Sequence, residues 1–305
     1  MSTVLITGSP QDPQAKRVAK AIRSLGAEAV YLNSESFPDR VKMSIEDGVL
    51  RIGSKRYRKP SSVYLRGFHA HALPEDYEQE MRDRPKGLMA QMDEKLAFLS
   101  SAMLTYEAQG VPVVNGPWAN AQHSNKPYQL ALLKDAGLRV PAWIATNEPT
   151  AVRRFVKKHG ATVYKPLSGG ATVRAVEERD LSPDRLSALQ YAPVLFQKRI
   201  DGISVRAYVV GNKVVAAAEL HSTELDYRRK EDAVVATNVS AEERRMVVAA
   251  AKACDMRFSG VDFIRGARKP YLLECNPSPM FAVFEDKTGL SVSEPFARYL
   301  VKGGR

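Results

Sequence analysis

The sequence predicts an α/β chain in which an open parallel-sheet domain precedes a longer α+β part. Three observations carry this. The chain opens strand, helix, strand. A β-rich stretch runs from Val194 to Glu219. A helix at 241–255 then leads into two apolar strands, Phe258-Ser-Gly-Val-Asp262-Phe-Ile and Tyr271-Leu-Leu-Glu274-Cys-Asn276, joined by the basic turn Arg265-Gly-Ala-Arg-Lys-Pro270.

Residues 3–8 read as a buried strand. Ala15, Val18, Ala19, Ile22 and Leu25 recur at helical spacing until Gly26 stops the helix. Ala29–Leu32 is the second strand. Gly8-Ser-Pro lacks the GxGxxG spacing, which argues against a dinucleotide site. Residues 41–58 predict a β-meander, Ser62–Leu65 a strand ending at Arg66, 75–109 one charged helix, and 111–115 a strand broken by Gly116-Pro-Trp. The segment from Asn125 to Pro141 is a helix closed by Gly137, followed by a strand. Residues 148–159 form an amphipathic helix started by Pro149. Thr162–Lys165 and Val173–Val176 are strands on either side of Ser168-Gly-Gly-Ala-Thr172. Three pieces are expected: 1–118, an N-terminal α/β domain; 119–195, with the glycine-rich loop; and 196–305, with the acidic hairpin.

Hydrophobic residues make up 44% and charged residues 26% of the 305, the composition of a globular protein, and no apolar run reaches the length of a membrane span. The N-terminus has no signal-peptide pattern, so a cytoplasmic location is expected. The two cysteines, Cys254 and Cys275, sit in apolar contexts and read as reduced core residues. Net charge is +11, but the cations are dispersed and no zinc-finger or RNA-binding motif is visible. That favours an acidic substrate over nucleic acid.

Alternation puts Glu274 and Asn276 on one strand face, and hairpin pairing would bring Asp262 to it. Three oxygen donors without His or Cys suit magnesium, which completes its shell with water and phosphate oxygens. Lys165 ends a strand just before Ser168-Gly169-Gly170-Ala171, where small residues let backbone N–H groups approach phosphate beside a compact charge. Arg206 is a lone charge on the apolar strand 205–210 and needs a partner, either phosphate or a structural carboxylate.

Taken together, Asp262 and Glu274-x-Asn276-x-Ser/Pro resemble the metal signature of the ATP-grasp carboxylate–amine ligases, the RimK-like branch in particular. Asn125-Lys126-x-x-x-Leu-x-x-Leu-Leu-x-x-x-Gly-Leu-x-Val-Pro is similar to the segment carrying that family's first ATP-contacting lysine. Phe196-Gln-Lys-Arg-Ile200 resembles its adenine-binding hinge strand, with Lys198-Arg199 in place of the usual Glu-Phe/Tyr. Ser222-Thr-Glu-Leu-Asp226-Tyr227-Arg228 resembles the Asp-Trp-Arg element of the microviridin-type, graspetide-forming ligases, with Tyr for Trp. Val63-Tyr-Leu-Arg66 and the run Val114-Asn115…Lys126…Gln129-Leu130 also resemble that branch, although the first 110 residues match only loosely.

The resemblance implies an ATP-grasp fold behind an N-terminal open α/β domain. It implies an ATP-dependent ligase that makes an amide or ester through an acylphosphate. ATP and magnesium are the expected cofactors, two ions, with manganese as an alternative. Asp262, Glu274 and Asn276 would hold the metal. Lys126, Lys165 and the loop Ser168, Gly169, Gly170, Ala171 would hold the triphosphate, and Gln197, Lys198 and Ile200 the adenine. Arg206 and Arg228 would steady the acylphosphate or the incoming carboxylate. The expected acceptor is an acidic peptide, a protein or an amino acid; RimK-like glutamate addition and a non-ligating ATP-binding regulator are the alternatives. No membrane partner is expected, and a homo-oligomer is left open.

Overall fold

The structure is a computed structural model that describes residues 2–68, 77–168, 173–221, 233–267 and 269–304. The chain forms two compact units.

The first unit comprises Met1–Trp118, Met280–Ala282 and Ser291–Arg305. Its elements are β1 (Thr3–Gly8), α1 (Pro13–Ser24), β2 (Glu28–Asn33), β3 (Met43–Glu46), β4 (Val49–Ile52), β5 (Lys55–Tyr57), β6 (Ser62–Leu65), α2 (Tyr77–Asp83), α3 (Pro85–Ala108) and β7 (Val113–Val114). The parallel sheet has the order β2-β1-β6-β7, and β3, β4 and β5 form the expected antiparallel meander. α1 buries Ala15, Val18, Ala19 and Ile22, four of the five positions read from its periodicity; the fifth, Leu25, is the C-cap and is exposed, because the helix ends before it. Its N-cap, Asp12, accepts from the N–H of Ala15 and from both Nε and Nη2 of Arg66, each of the latter at 3.1 Å. Arg66 therefore ties the end of β6 to the start of α1. The helix expected over 75–109 is two helices in the described part, because Pro85 cannot donate the N–H a continuous helix needs. The strand expected over 111–115 shortens to two residues.

The second unit comprises Ala119–Pro279 and Val283–Leu290. After the short α4 (Pro117–Ala121) come α5 (Lys126–Asp135), β8 (Trp143–Thr146), α6 (Pro149–His159), β9 (Thr162–Lys165), β10 (Arg174–Ala175), α7 (Pro183–Ser187) and β11 (Val194–Lys198). They are followed by β12 (Ile203–Val210), β13 (Lys213–His221), β14 (Ala233–Ala236), α8 (Ala241–Ala253), β15 (Phe258–Arg265), β16 (Tyr271–Asn276), α9 (Ala282–Thr288) and, back in the first unit, α10 (Ser293–Val301). The expected piece 196–305 is thus divided, and its last fifteen residues belong with the first unit. The reason is packing: α10 buries Phe296, Ala297 and Leu300, it packs on α1, and Phe296 meets Tyr64 of β6 edge to face at 4.9 Å.

The second unit holds two antiparallel sheets, β10-β9-β11-β8 and β14-β13-β12-β15-β16. Each has one face covered by helix. On the first, Ile144, Tyr164 and Phe196 pack with Val152 and Phe155 of α6. On the second, Val205, Ala207, Ala217, Val261, Phe263, Leu272 and Cys275 pack with Val247, Ala250, Ala251 and Cys254 of α8 and its C-cap and with Leu133 of α5. Arg265 adds a staple on this side, donating to Glu219 of β13 at 2.6 Å and to Glu243 of α8 at 2.7 Å. Both cysteines are free and buried, as their apolar settings suggested. Among the described residues no helix is long and apolar enough to cross a membrane.

Candidate functional site

Because strand side chains alternate, the second sheet's residues that do not face α8 must face the other way. The register places Arg206 of β12 opposite Asp262 of β15, and Asp262 opposite Glu274 of β16. Asn276 lies two residues on from Glu274 and pairs with Gly260. A single face, the one turned away from α8, therefore carries Arg206, Asp262, Glu274 and Asn276. Gly260 keeps the cluster's flank tight, since a Cβ there would sit 2.8 Å from the Pro279 Cβ.

These side chains bond to one another. Arg206 grips Asp262 as a fork, Nε to Oδ1 and Nη2 to Oδ2, both at 2.6 Å. Nδ2 of Asn276 donates to Asp262 Oδ2 at 3.2 Å and to Glu274 Oε1 at 3.4 Å, so the amide bridges the two carboxylates. Two lysines distant in sequence meet the second carboxylate. Lys126, the first residue of α5, donates to Glu274 Oε2 at 3.1 Å, and Lys165, the last of β9, lies 4.0 Å from the same oxygen.

Burial decides the charge states. The side chains of Asp262 and Arg206 are 7% and 16% exposed. Burial raises the pKa of Asp262, and the Arg206 guanidinium works against that rise. Burial also opposes ionisation of Glu274, but Lys165 and Lys126 outweigh it and hold this carboxyl well below the usual range. Three cations face two carboxylates, so the cluster is net positive and suited to a polyanion.

The nucleotide candidates divide by face. The pairing of β9 with β11 puts Gln197 opposite Val163 and Leu195 opposite Lys165, so Gln197 shares a face with Lys165 and turns away from α6. Gln197 is buried, and its Nε2 has no hydrogen-bond partner among the described residues. An orphaned buried donor on the face of Lys165 is the kind of atom a bound ligand satisfies. Lys198 projects from the opposite face, and its N–H is spent on the carbonyl of Ala142, as that of Arg199 is on Ala161. Ile200, the third of these candidates, is half-buried just beyond β11. Ser168 is exposed just beyond β9. Gly169, Gly170, Ala171 and Arg228 lie outside the described residues.

One participant had no role assigned from sequence. Gln129 of α5 bonds both backbone groups of Cys275, the residue between Glu274 and Asn276. A buried polar residue one turn after Lys126, on the apolar face of a helix, was the available signal.

The chain matches the model of the RimK-like ATP-grasp domain over residues 123–300. It is similar to the solved ATP-grasp ligase PsnB in complex with a phosphomimetic variant of its minimal precursor, magnesium and ADP. The TM-score is 0.91 at 33% identity, covering 100% of this chain and 99% of that one. A second PsnB structure, with a precursor peptide and AMPPNP, superposes with a TM-score of 0.86 at 32% identity, covering 99% and 97%. Among curated proteins, a probable alpha-L-glutamate ligase 2 of Shewanella amazonensis is 32% identical over 209 residues, which is 65% of this chain and 69% of the relative. With a family match over more than half of its length and an ATP-grasp ligase superposing on all of it, the chain belongs to the RimK-like ATP-grasp family and is a ligase.

Proposed function

We propose that this ligase joins a peptide or protein carboxylate to an amine or hydroxyl at the expense of ATP. The observation that carries the proposal is the convergence of Lys126, Lys165 and Arg206 on Asp262, Glu274 and Asn276. The donors fit magnesium: two carboxylates and an amide, all hard oxygens once the Asn276 amide turns its Oδ1 inward. Among the described residues no cluster of three His, Cys, Asp or Glu offers another kind of metal site. Two magnesium ions are expected, with manganese as a substitute. Bound there, they would neutralise phosphate oxygens.

In this reading the acceptor carboxylate attacks the γ-phosphorus of ATP, giving an acylphosphate and ADP. The amine or hydroxyl then attacks the acyl carbon and expels phosphate. No enzyme nucleophile is needed, so the residues act by positioning and charge. Lys126 and Lys165 would exchange part of their hold on Glu274 for phosphate oxygens. The loop Ser168, Gly169, Gly170, Ala171 would cover the triphosphate. Gln197 would donate to the base, and Lys198 and Ile200 would contact it through their backbone. Arg206, braced by Asp262, and Arg228 would steady the acylphosphate and the incoming carboxylate. The net charge of +11 favours an acidic acceptor.

The likeness to PsnB over the whole chain supports a peptide acceptor, and the glutamate-ligase relative supports a second reading, addition of glutamate to a small molecule or protein end. The test is incubation with ATP, magnesium and acidic peptides, followed by mass spectrometry. Ligation within a peptide removes one water per bond, whereas glutamate addition raises the mass. ATP turnover with no acceptor product would overturn both.

A further inference from the structure

Gln129 lies three residues after Lys126 on α5 and is 3% exposed. Its Oε1 accepts from the N–H of Cys275 at 2.8 Å, and its Nε2 donates to the carbonyl of the same residue at 2.8 Å. One side-chain amide thus does what a neighbouring strand would do. β16 is the last strand of its sheet, so among the described residues one of its edges has no strand partner. Adjacent residues of an antiparallel strand turn their backbone groups to opposite sides. Cys275 therefore presents its N–H and carbonyl to the open edge, while Glu274 and Asn276 turn theirs to β15. A buried N–H and carbonyl left without partners would be costly. The thiol of Cys275 points into the core beside Cys254. Cys275 is consequently held from the sheet, from the core and from α5, and the two oxygen donors on either side of it are held with it.

The same bonds fix the helix. Residues three apart share a helix face, so pinning Gln129 to β16 also sets where Lys126 reaches that strand. Its Nζ meets Glu274 at 3.1 Å.

We propose that Gln129 is a positioning residue of the magnesium and phosphate site. It sets the spacing of the Glu274 and Asn276 oxygens and their distance from Lys126. This rests on the reading of Asp262, Glu274 and Asn276 as magnesium ligands. Gln122 provides an internal control. Its buried Nε2 donates to the carbonyl of Cys254 at 2.8 Å, a bond of the same kind that closes α8 rather than holding the backbone of β16.

The experiment compares Gln129→Met and Gln122→Met in the full chain with wild type and with Asp262→Asn. Two quantities are read as free magnesium is raised: the thermal shift in the presence of a non-hydrolysable ATP analogue, and the rate of ATP consumption at saturating ATP. Losing a group that orients a metal ligand typically costs 10–100-fold in metal affinity, so Gln129→Met should raise half-saturating magnesium about tenfold in both readouts. Its rate at saturating magnesium should recover to within a few-fold of wild type. Gln122→Met should lower the melting temperature without moving the magnesium dependence. If Gln129→Met does not fold, Gln129→Asn serves, since it keeps an amide but is one methylene too short to hold both groups. A wild-type magnesium dependence in the folded Gln129 variant overturns the proposal, as does an equal shift in Gln122→Met. A magnesium dependence that Asp262→Asn leaves unchanged overturns the ligand reading itself, and the role of Gln129 with it.

Discussion

Removing Arg206 strands Asp262, and the cost can be bounded from the geometry. Arg206→Met keeps an unbranched apolar stem but drops the guanidinium, and so deletes a two-bond ion pair whose members are 16% and 7% exposed. Breaking a buried pair from one side costs about 3–5 kcal/mol. The Asn276 amide still donates to Asp262, which favours the lower end, about 3 kcal/mol. There is also a ceiling, because the variant can protonate Asp262 instead of burying a bare charge. From an ordinary pKa of 3.8, protonation costs about 4 kcal/mol near pH 7 and only about 1.5 kcal/mol near pH 5. The sign follows from a raised folded-state pKa. Stability is full below the unfolded pKa and is lost as pH rises through the folded one, so the variant should approach wild type in acid and fall behind it at neutral pH. Adding Asp262→Asn removes the stranded charge, so the double variant should be more stable than Arg206→Met alone and should lose the extra pH dependence. The assay is urea unfolding of wild type, both single variants and the double variant near pH 7 and pH 5, with a chelator present. With a urea slope of about 2 kcal/mol per molar, the midpoint of Arg206→Met should drop by roughly 1.5 M at neutral pH. A drop equivalent to less than ~0.5 kcal/mol, or a penalty that grows toward acid, would refute the reasoning.

Three further outcomes are expected. Lys165→Ala should weaken ATP binding by roughly 2–4 kcal/mol, scaled from desolvated charge pairs, while Glu274 keeps its bond to Lys126 and the chain stays folded; calorimetric titration with an ATP analogue checks this. Asp262→Asn combined with Glu274→Gln should abolish ATP consumption while circular dichroism still reports a folded chain, and near wild-type turnover would remove the basis of the proposed metal site. Gly260→Ala would place a Cβ 2.8 Å from that of Pro279, a ring with little room to give. It should cost about 1–3 kcal/mol by overpacking, read from chemical unfolding.

In the sequence, the resemblance of its motifs to the ATP-grasp ligases pointed to the fold, and local pattern pointed to the acidic hairpin. The information there is local. A period of two puts Glu274 and Asn276 on one face, a short basic turn pairs their strand with that of Asp262, and the residue types suit the proposed magnesium site. The same holds for α1 and α6, whose apolar spacing and Pro starts give the buried faces directly. Arg206 was legible as a charge in need of a partner, but its strand does not say which, because an ion pair and a phosphate contact leave the same mark on sequence. Register decided that its partner in this structure is Asp262. Lys126 and Lys165 are 148 and 109 residues from Glu274, and only the docking of α5 and β9 brings both to one oxygen. The piece 196–305 read as continuous, yet α10 leaves it, because its apolar face is satisfied on α1 and β6 rather than beside its chain neighbours. Gln129 shows the limit most plainly. Its partner is backbone, which has the same chemistry at every residue, so nothing in the letters singles out Cys275; the edge of a sheet exists only once the strands have been ordered.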